Sequence, residues 1–320
     1  MPHKTDSRHS DILIPRYRIL SDSISVIISR KFVEFFRHEF YTRKILESIL
    51  NVILKNSGYI VHAVFKNGGI FEFPSKDRVW RRLITRRKYS FEADLYYTLD
   101  SFRHLKCSFF DIGSNLGYWS VIALDMGFRN IIAVEASSDS FDWLQRNAQL
   151  NGGQITALHK AIYSRDGLQV GFSGEMEHDQ RHITTQQDAA EIIDTITLDT
   201  LAEEFAPEGP IIVKLDVEGA ELPALQGARE LLRQRDVLLI YEDLPRDTSH
   251  APSRFILQQC DWEIFAIVHS RNDVHRKKMK IYKMHDLNSI ARIKSIKFSK
   301  NFYATRRNSL FHAFFDNLSG

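Results

Sequence analysis

Cysteine is nearly missing from this chain. Only two of its 320 residues are cysteine, Cys107 and Cys260. They form no C-x-x-C pair, so spacing offers neither a zinc site nor a redox dithiol. Both lie in apolar surroundings and are expected to be buried thiols, which suits a reducing compartment. Long apolar runs are missing too. No stretch reaches the ~18 residues that read as a membrane-spanning helix. The first residues are polar or basic and lack the apolar segment of a secretory signal, so the expected location is cytoplasmic. Charge of one sign is also missing. The balance of 43 Lys and Arg against 40 Asp and Glu leaves +3, which argues against bulk nucleic-acid binding. No internal repeat or low-complexity tract stands out.

What is present is a globular composition, 43% apolar and 26% charged, enough to bury a real core. The basic residues are uneven. Arg78, Arg81, Arg82, Arg86, Arg87 and Lys88 form one cluster, and Arg271, His275, Arg276, Lys277, Lys278, Lys280 and Lys283 form another. Both read first as solvated faces and second as sites for an anionic partner. From Ile24 to Leu54 apolar residues recur at helical spacing, with Arg30, Glu34, Arg37, Arg43 and Glu47 on the other side. This predicts one or two amphipathic helices packed on the core, with peripheral membrane docking through residues 24–54 as the alternative. Gly58 is expected to end the helix. Tyr59–Phe65 and Ile70–Phe73, joined across Gly68-Gly69, predict a hairpin. Residues 76–105 look helical, and residues 1 to about 20 look loose.

After residue 105 the pattern changes. Short apolar strands alternate with amphipathic helices. Cys107–Asp111, Ile131–Val134, Ile155–Ala161, Ile211–Leu215 and Val237–Tyr241 read as strands. This rhythm predicts an α/β fold, a Rossmann-like, doubly wound and mainly parallel sheet with helices on both faces. Trp262–Val268 and Met279–Tyr282 are compatible with an antiparallel hairpin at its edge. The expected organisation is an N-terminal helical and hairpin extension over 1–90, the sheet domain over 91–305 and a tail over 306–320.

Three constellations carry chemistry. The first is Asp111-Ile-Gly113-Ser114-Asn115-Leu-Gly117, where a strand becomes a helix. Glycine there lets the backbone turn sharply and approach a ligand. The second is Glu135, at the end of the next strand and followed by Ala136. An acid in that place can accept both ribose hydroxyls of an adenosine. Dinucleotide enzymes pair such an acid with G-x-G-x-x-G, which brings a helix N-terminus to a pyrophosphate. Here an acid precedes the first glycine. An anionic Asp111 repels a pyrophosphate and suits the ammonium of a methionine moiety. The third constellation is Lys214-Leu-Asp216-Val-Glu218-Gly-Ala-Glu221. Its acids fall at the carboxyl end of a strand, where ligands of parallel sheets bind. Glu218 and Glu221 can also be read as favouring a helix N-terminus.

Taken together, Asp111–Gly117, Val134-Glu135-Ala136, Thr197-Leu-Asp199-Thr-Leu201 and Lys214–Glu221 resemble the FkbM-type methyltransferase family, and Glu242 fits as well. The resemblance covers about residues 90–245, with weaker likeness to about 305. Family members commonly have Glu-Pro where this chain has Glu135-Ala136. The resemblance implies S-adenosylmethionine as cofactor and O-methylation of a sugar, polyketide or similar hydroxyl. The expected cofactor residues are Asp111, Gly113, Ser114, Asn115, Gly117, Glu135, Ala136 and Ala161. Asp216 or Glu218 is expected to orient or deprotonate the acceptor, with Lys214 polarising its neighbours, and no metal is expected. Asp216 and Glu218, two apart in an extended segment, are expected to point the same way. His159 reads as a satisfied edge histidine and Asp199 as a cap. His178 and His182 read first as surface histidines, in a polar stretch, 171–188, that resembles an acceptor-covering loop. The expected partner is a small-molecule or glycan acceptor rather than nucleic acid. The rival readings are an NAD-dependent oxidoreductase and a catalytically silent binding module on the same fold.

Overall fold

The computed structural model describes residues 17–21, 48–49, 51–85, 91–173, 182–184, 189, 191–244, 247–268, 279–295 and 301–316. Strands are numbered in chain order: β1 Tyr17–Leu20, β2 Ile60–Phe65, β3 Ile70–Pro74, β4 Ser108–Ile112, β5 Ile131–Glu135, β6 Ile155–His159, β7 Ala161–Ile162, β8 Gln169–Ser173, β9 His182–Thr184, β10 Glu191–Ile196, β11 Ile211–Leu215, β12 Val237–Glu242, β13 Trp262–Val268, β14 Lys280–Met284 and β15 Asn301–Arg306. The main sheet has eight strands in the order β14-β13-β15-β12-β11-β4-β5-β6. The five from β12 to β6 are parallel. The three at the other edge are antiparallel.

Strands β4, β5, β11 and β12 are buried at every position. That is why they read as continuous apolar runs, as strands covered on both faces do. Their side chains divide between two cores. Phe109, Ile131, Ala133, Ile212, Leu238 and Ile240 face one side. Phe110, Ile112, Ile132, Val134, Val213, Leu215 and Leu239 face the other. The Rossmann-like, doubly wound sheet predicted from the sequence is the observed one.

Helices among the described residues are α1 Arg81–Thr85, α2 Ala93–Phe102, α3 Tyr118–Met126, α4 Ser138–Leu150, α5 Leu198–Phe205, α6 Glu221–Gln226, α7 Arg229–Gln234, α8 Ala251–Leu257, α9 Leu287–Ser295 and α10 His312–Asp316. The chain enters α4 through Ser137, whose hydroxyl accepts from the Ser140 amide, a preferred N-cap. Asp199 lies in α5, yet it accepts from the Glu230 and Leu231 amides at 3.1 and 2.7 Å and so caps the start of α7.

The predicted hairpin β2–β3 forms. It packs into the same core as α3 and α4, through Val61, Ala63, Phe71 and Phe73. Polar bonds tie it down. Asn147 accepts from the Glu72 amide at 2.6 Å and donates to the Glu72 carbonyl at 2.9 Å. Asn151 bonds the backbone of Ile70 in the same two-way manner.

Several expectations are corrected. Residues Tyr17–Leu20 are not loose; they pair with β2 and extend the hairpin to three strands. The strand expected over Ile155–Ala161 is two elements, since β7 leaves the main sheet to pair with β10. The edge hairpin β13–β14 forms, but β15 inserts between it and β12. Phe311 and Phe315, beyond residue 306, are fully buried. Cys107 is buried but Cys260 is exposed, because it falls in the turn between α8 and β13. Arg81 is not part of a solvated face. It is buried, and it donates to Asn51 Oδ1 and to the Lys76 carbonyl. Most of the amphipathic stretch 24–54, the basic run 271–278 and His178 lie outside the described residues. Among the described residues, no helix is long and apolar enough to cross a membrane.

Candidate functional site

The site forms where β4, β5, β11 and β12 end side by side. Parallel pairing sets its register. Lys214 and Asp111 are paired across β11 and β4, so their side chains emerge on the same face. Lys214 Nζ lies 3.6 Å from Asp111 Oδ1 and 3.2 Å from Asp216 Oδ2. It also reaches the Gly113 carbonyl at 3.5 Å. Burial alone opposes the ammonium charge, but Asp216, Asp111 and Glu92 more than offset it and hold Lys214 above its ordinary range.

Asp111 is fully buried. Its Oδ2 accepts from the Ser120 hydroxyl at 2.6 Å, and Oδ1 has no hydrogen-bond partner. Burial pushes its carboxyl up, against the pull of Lys214. The cation beside Asp111 is thus a residue of the protein itself, where the sequence reading placed a ligand's ammonium.

The glycine loop is built as expected, for a reason partly different from the expected one. Gly113 has φ +71°, and a Cβ there would sit 1.8 Å from the Asp216 carbonyl oxygen. What excludes a side chain is the backbone that follows β11. The close approach joins the first and third constellations directly, and the Asp216 amide returns the contact by donating to the Ile112 carbonyl at 3.0 Å. Gly113 and Ser114 both donate their amides to the Val134 carbonyl, at 2.9 and 3.0 Å. Asn115 turns left-handed at φ 54°. Gly117 turns likewise at φ +87°, where a Cβ would meet Leu144 Cδ1 at 2.7 Å.

Glu135 is buried at the end of β5. Its carboxylate accepts from the Asn115 amide at 2.7 Å and the Ser137 amide at 2.9 Å. It therefore fastens the glycine loop to the strand that carries it. Beside it, the Ala136 carbonyl lies 3.1 Å from His159 Nε2, and the His159 ring stacks on Phe141. His159 is the satisfied edge histidine the sequence suggested. Ala161 is buried at the start of β7. His182 lies in β9.

Asp216 and Glu218 do come together, but not by extended alternation. Glu218 is left-handed, at φ 51°, so the chain has already turned. Carboxylate oxygens of Asp216, Glu218 and Glu242 lie within 4.8 Å of one another. Glu242 comes from the end of β12. No metal was expected from the spacing, although oxygen ligands of this kind could hold a hard cation. Glu221 stands apart from this group. Buried at the start of α6, it accepts from the Val217 and Gly219 amides, both at 3.2 Å. Burial pushes its carboxyl up to about 7.

One residue of the site escaped the sequence reading. Glu92 precedes α2 in the left-handed conformation, φ 47°. Its Oε2 accepts the Trp119 indole N–H at 2.7 Å. Burial pushes its carboxyl up to about 8; Lys214 pulls the other way, and Asp216, Asp94 and Glu242 push with burial. Its only signal in the sequence is an acid just ahead of a helix, which more often reads as a complement to the dipole.

Comparison with known proteins agrees with this picture. Residues 111–264 match the family model of the methyltransferase FkbM domain. The hexuronic acid methyltransferase AglP of Haloferax volcanii is 28% identical over 130 residues, 41% of this chain and 53% of that protein. The matched stretch thus spans about half the length of that relative. Among solved structures, the methyltransferase FkbM of Methylobacillus flagellatus aligns at 18% identity and TM-score 0.43, over 71% of this chain and 52% of that one. An O-methyltransferase from Bacillus cereus in complex with SAH aligns at 10% identity and TM-score 0.38, over 68% and 82%. The strand ends that build the crevice, β4, β5, β11 and β12, all fall inside the stretch that matches the FkbM methyltransferase domain model.

Proposed function

We propose that this chain is an S-adenosylmethionine-dependent methyltransferase that O-methylates a sugar, polysaccharide or secondary-metabolite hydroxyl. The observation that carries this reading is the acid-rich crevice inside the family domain. Asp111, Asp216 and Glu92 surround a single lysine, and Glu135 stands one strand away. Such a set suits a cationic ligand and disfavours the pyrophosphate that NAD would bring. The likeness to an archaeal hexuronic acid methyltransferase supports a sugar acid as the acceptor class.

The cofactor supplies an electrophilic methyl group on a positively charged sulfur. Glu135 would hold the ribose hydroxyls, and Gly113 to Gly117 would let the backbone approach the ligand. Asp216 or Glu218 would orient the acceptor hydroxyl and take its proton, while the methyl group passes from sulfur to oxygen and the S–C bond breaks to leave a neutral thioether. A positioned base of this kind contributes about 10²–10⁴-fold. Lys214, at 3.2 Å from Asp216, holds that carboxylate in place. Calorimetry with S-adenosylmethionine and with NAD tests the cofactor. Labelled methyl transfer to a panel of hexuronic acids and neutral glycans tests the acceptor. Retention of NAD without S-adenosylmethionine would reject the reading.

A further inference from the structure

Lys214 is one ammonium among several acids. Asp111 and Asp216 lie within 3.6 Å of it, and Glu92 also acts on its charge. Glu92 in turn feels Asp94, Asp216 and Glu242. Asp94 is itself occupied, accepting from the Tyr303 hydroxyl at 2.8 Å and the Asn301 side-chain amide at 3.2 Å. The charges facing Glu92 are therefore Lys214 and Asp216 from β11 and its end, Glu242 from β12 and Asp94 from α2. Among the described residues whose charges act on Glu92, acids outnumber the cation.

Two of the acids that act on Lys214, Asp111 and Glu92, differ in how they are held. Asp111 is spent: fully buried, bonded to Ser120 and turned toward Lys214. Glu92 is different. It remains partly exposed. One oxygen is anchored to Trp119, in the first turn of the helix that leaves the loop. The other oxygen, Oε1, has no hydrogen-bond partner among the described residues. A left-handed backbone at a glutamate is uncommon and tends to persist where the surroundings hold it for a purpose. The raised proton affinity of Glu92 comes first from burial and then from the neighbouring acids Asp216, Asp94 and Glu242, with Lys214 opposing them.

We propose that Glu92, which lies outside the matched family domain, receives the ammonium of the cofactor's methionine moiety through Oε1. This rests on the cofactor assignment above. The chemistry is a charge-assisted hydrogen bond between an ammonium donor and a carboxylate acceptor, in the role the sequence had given to Asp111. Glu92 is a binding residue here, and the acceptor proton stays with Asp216 or Glu218.

Ligands that differ in this one group test the assignment. S-adenosylhomocysteine keeps the amino-acid ammonium, whereas methylthioadenosine keeps the adenosine and lacks it. Glu92→Gln retains an oxygen to accept from Trp119 and removes the charge. Its affinity for S-adenosylmethionine and S-adenosylhomocysteine should fall about 10-fold or more, with methylthioadenosine unchanged. Unchanged affinity for S-adenosylhomocysteine in the folded variant overturns the proposal, as does an equal loss for all three ligands. A loss of turnover at unaltered affinity would make Glu92 a base and overturn it as well. Should Glu92→Gln not fold, Glu92→Asp carries the same comparison, since withdrawing the carboxylate by one methylene should weaken only the ligands that bear the ammonium. Failure of the wild-type protein to bind any of the three overturns the cofactor assignment and this inference with it, a result distinct from every other.

Discussion

Asp111 and Asp216 flank the same ammonium group, yet their surroundings differ. Asp111 is held between strands and has no exposure. The Asp216 side chain is 32% exposed and sits where the chain leaves β11 for the turn before α6. The two share a partner and a charge but not access to solvent. Burial makes one a fixed part of the sheet's electrostatics and leaves the other open to solvent. Residue type alone could not have separated them.

That comparison can be broken hardest at Lys214. Lys214→Met leaves Asp111 buried without its countercharge. Removing one partner of a buried pair costs about 3–5 kcal/mol, so the urea midpoint should drop sharply. A variant as stable as wild type would mean that Asp111 stays neutral in the fold. Gly113→Ala is next. It drives a methyl group into the Asp216 carbonyl at a positive φ, an overpacking and backbone penalty of about 3 kcal/mol. The melting temperature should fall even without any ligand. A loss of cofactor binding at full stability would place the constraint in the ligand instead.

The acids themselves sharpen the contrast. Asp111→Asn should lower stability, with its effect on turnover following from that loss. Asp216→Asn or Glu218→Gln should leave stability within about 1 kcal/mol and lower turnover about 100-fold or more. Comparing denaturation curves with single-turnover rates for the three variants checks this. Equal effects on stability at positions 111 and 216 would erase the distinction.

The smallest effect is in pH. Glu92 and Glu221 are held at about 8 and about 7, above the ordinary 4.5. The unfolded chain therefore releases these protons at lower pH than the folded chain. Between about 4.5 and 8 the folded state binds more protons, so stability falls as pH rises through this window. Urea midpoints measured from pH 5 to pH 8.5 should decline, and Glu221→Gln should flatten the lower part of the curve. A midpoint that rises with pH across this range would contradict the burial of both carboxyls.

How much of this was legible depended on whether the signal was local. Strands β4, β5, β11 and β12 are covered on both faces, so each shows as an unbroken apolar run. The glycine loop and Glu135 show because their chemistry lies within a few residues of a strand end. Strand β15 was not legible. Asn301–Arg306 sits between basic residues, and its burial comes from neighbours more than thirty positions earlier. Glu92 was hidden for the same reason, since its site is made by Trp119, Lys214 and Glu242 and not by its own segment. Cys260 misled because apolar neighbours in sequence do not bury a residue at a turn. Tyr17–Leu20 gains its structure from β2, forty residues on.

The placement of β15 has a consequence for how the chain matures. Strands β12 and β13 are made first, but neither has its final neighbour until residues 301–306 have been synthesised. Until then β12 presents an unpaired edge, and β13 and β14 form a hairpin with nothing to join. Such edges template wrong pairing, and long-range closure of this sort is slow and exposed to aggregation. A chain stopped at residue 264, where the family match ends, would keep every acid of the crevice but lose Asn301 and Tyr303, which donate to Asp94. It would nonetheless lack the strand that lets the two halves of the sheet meet.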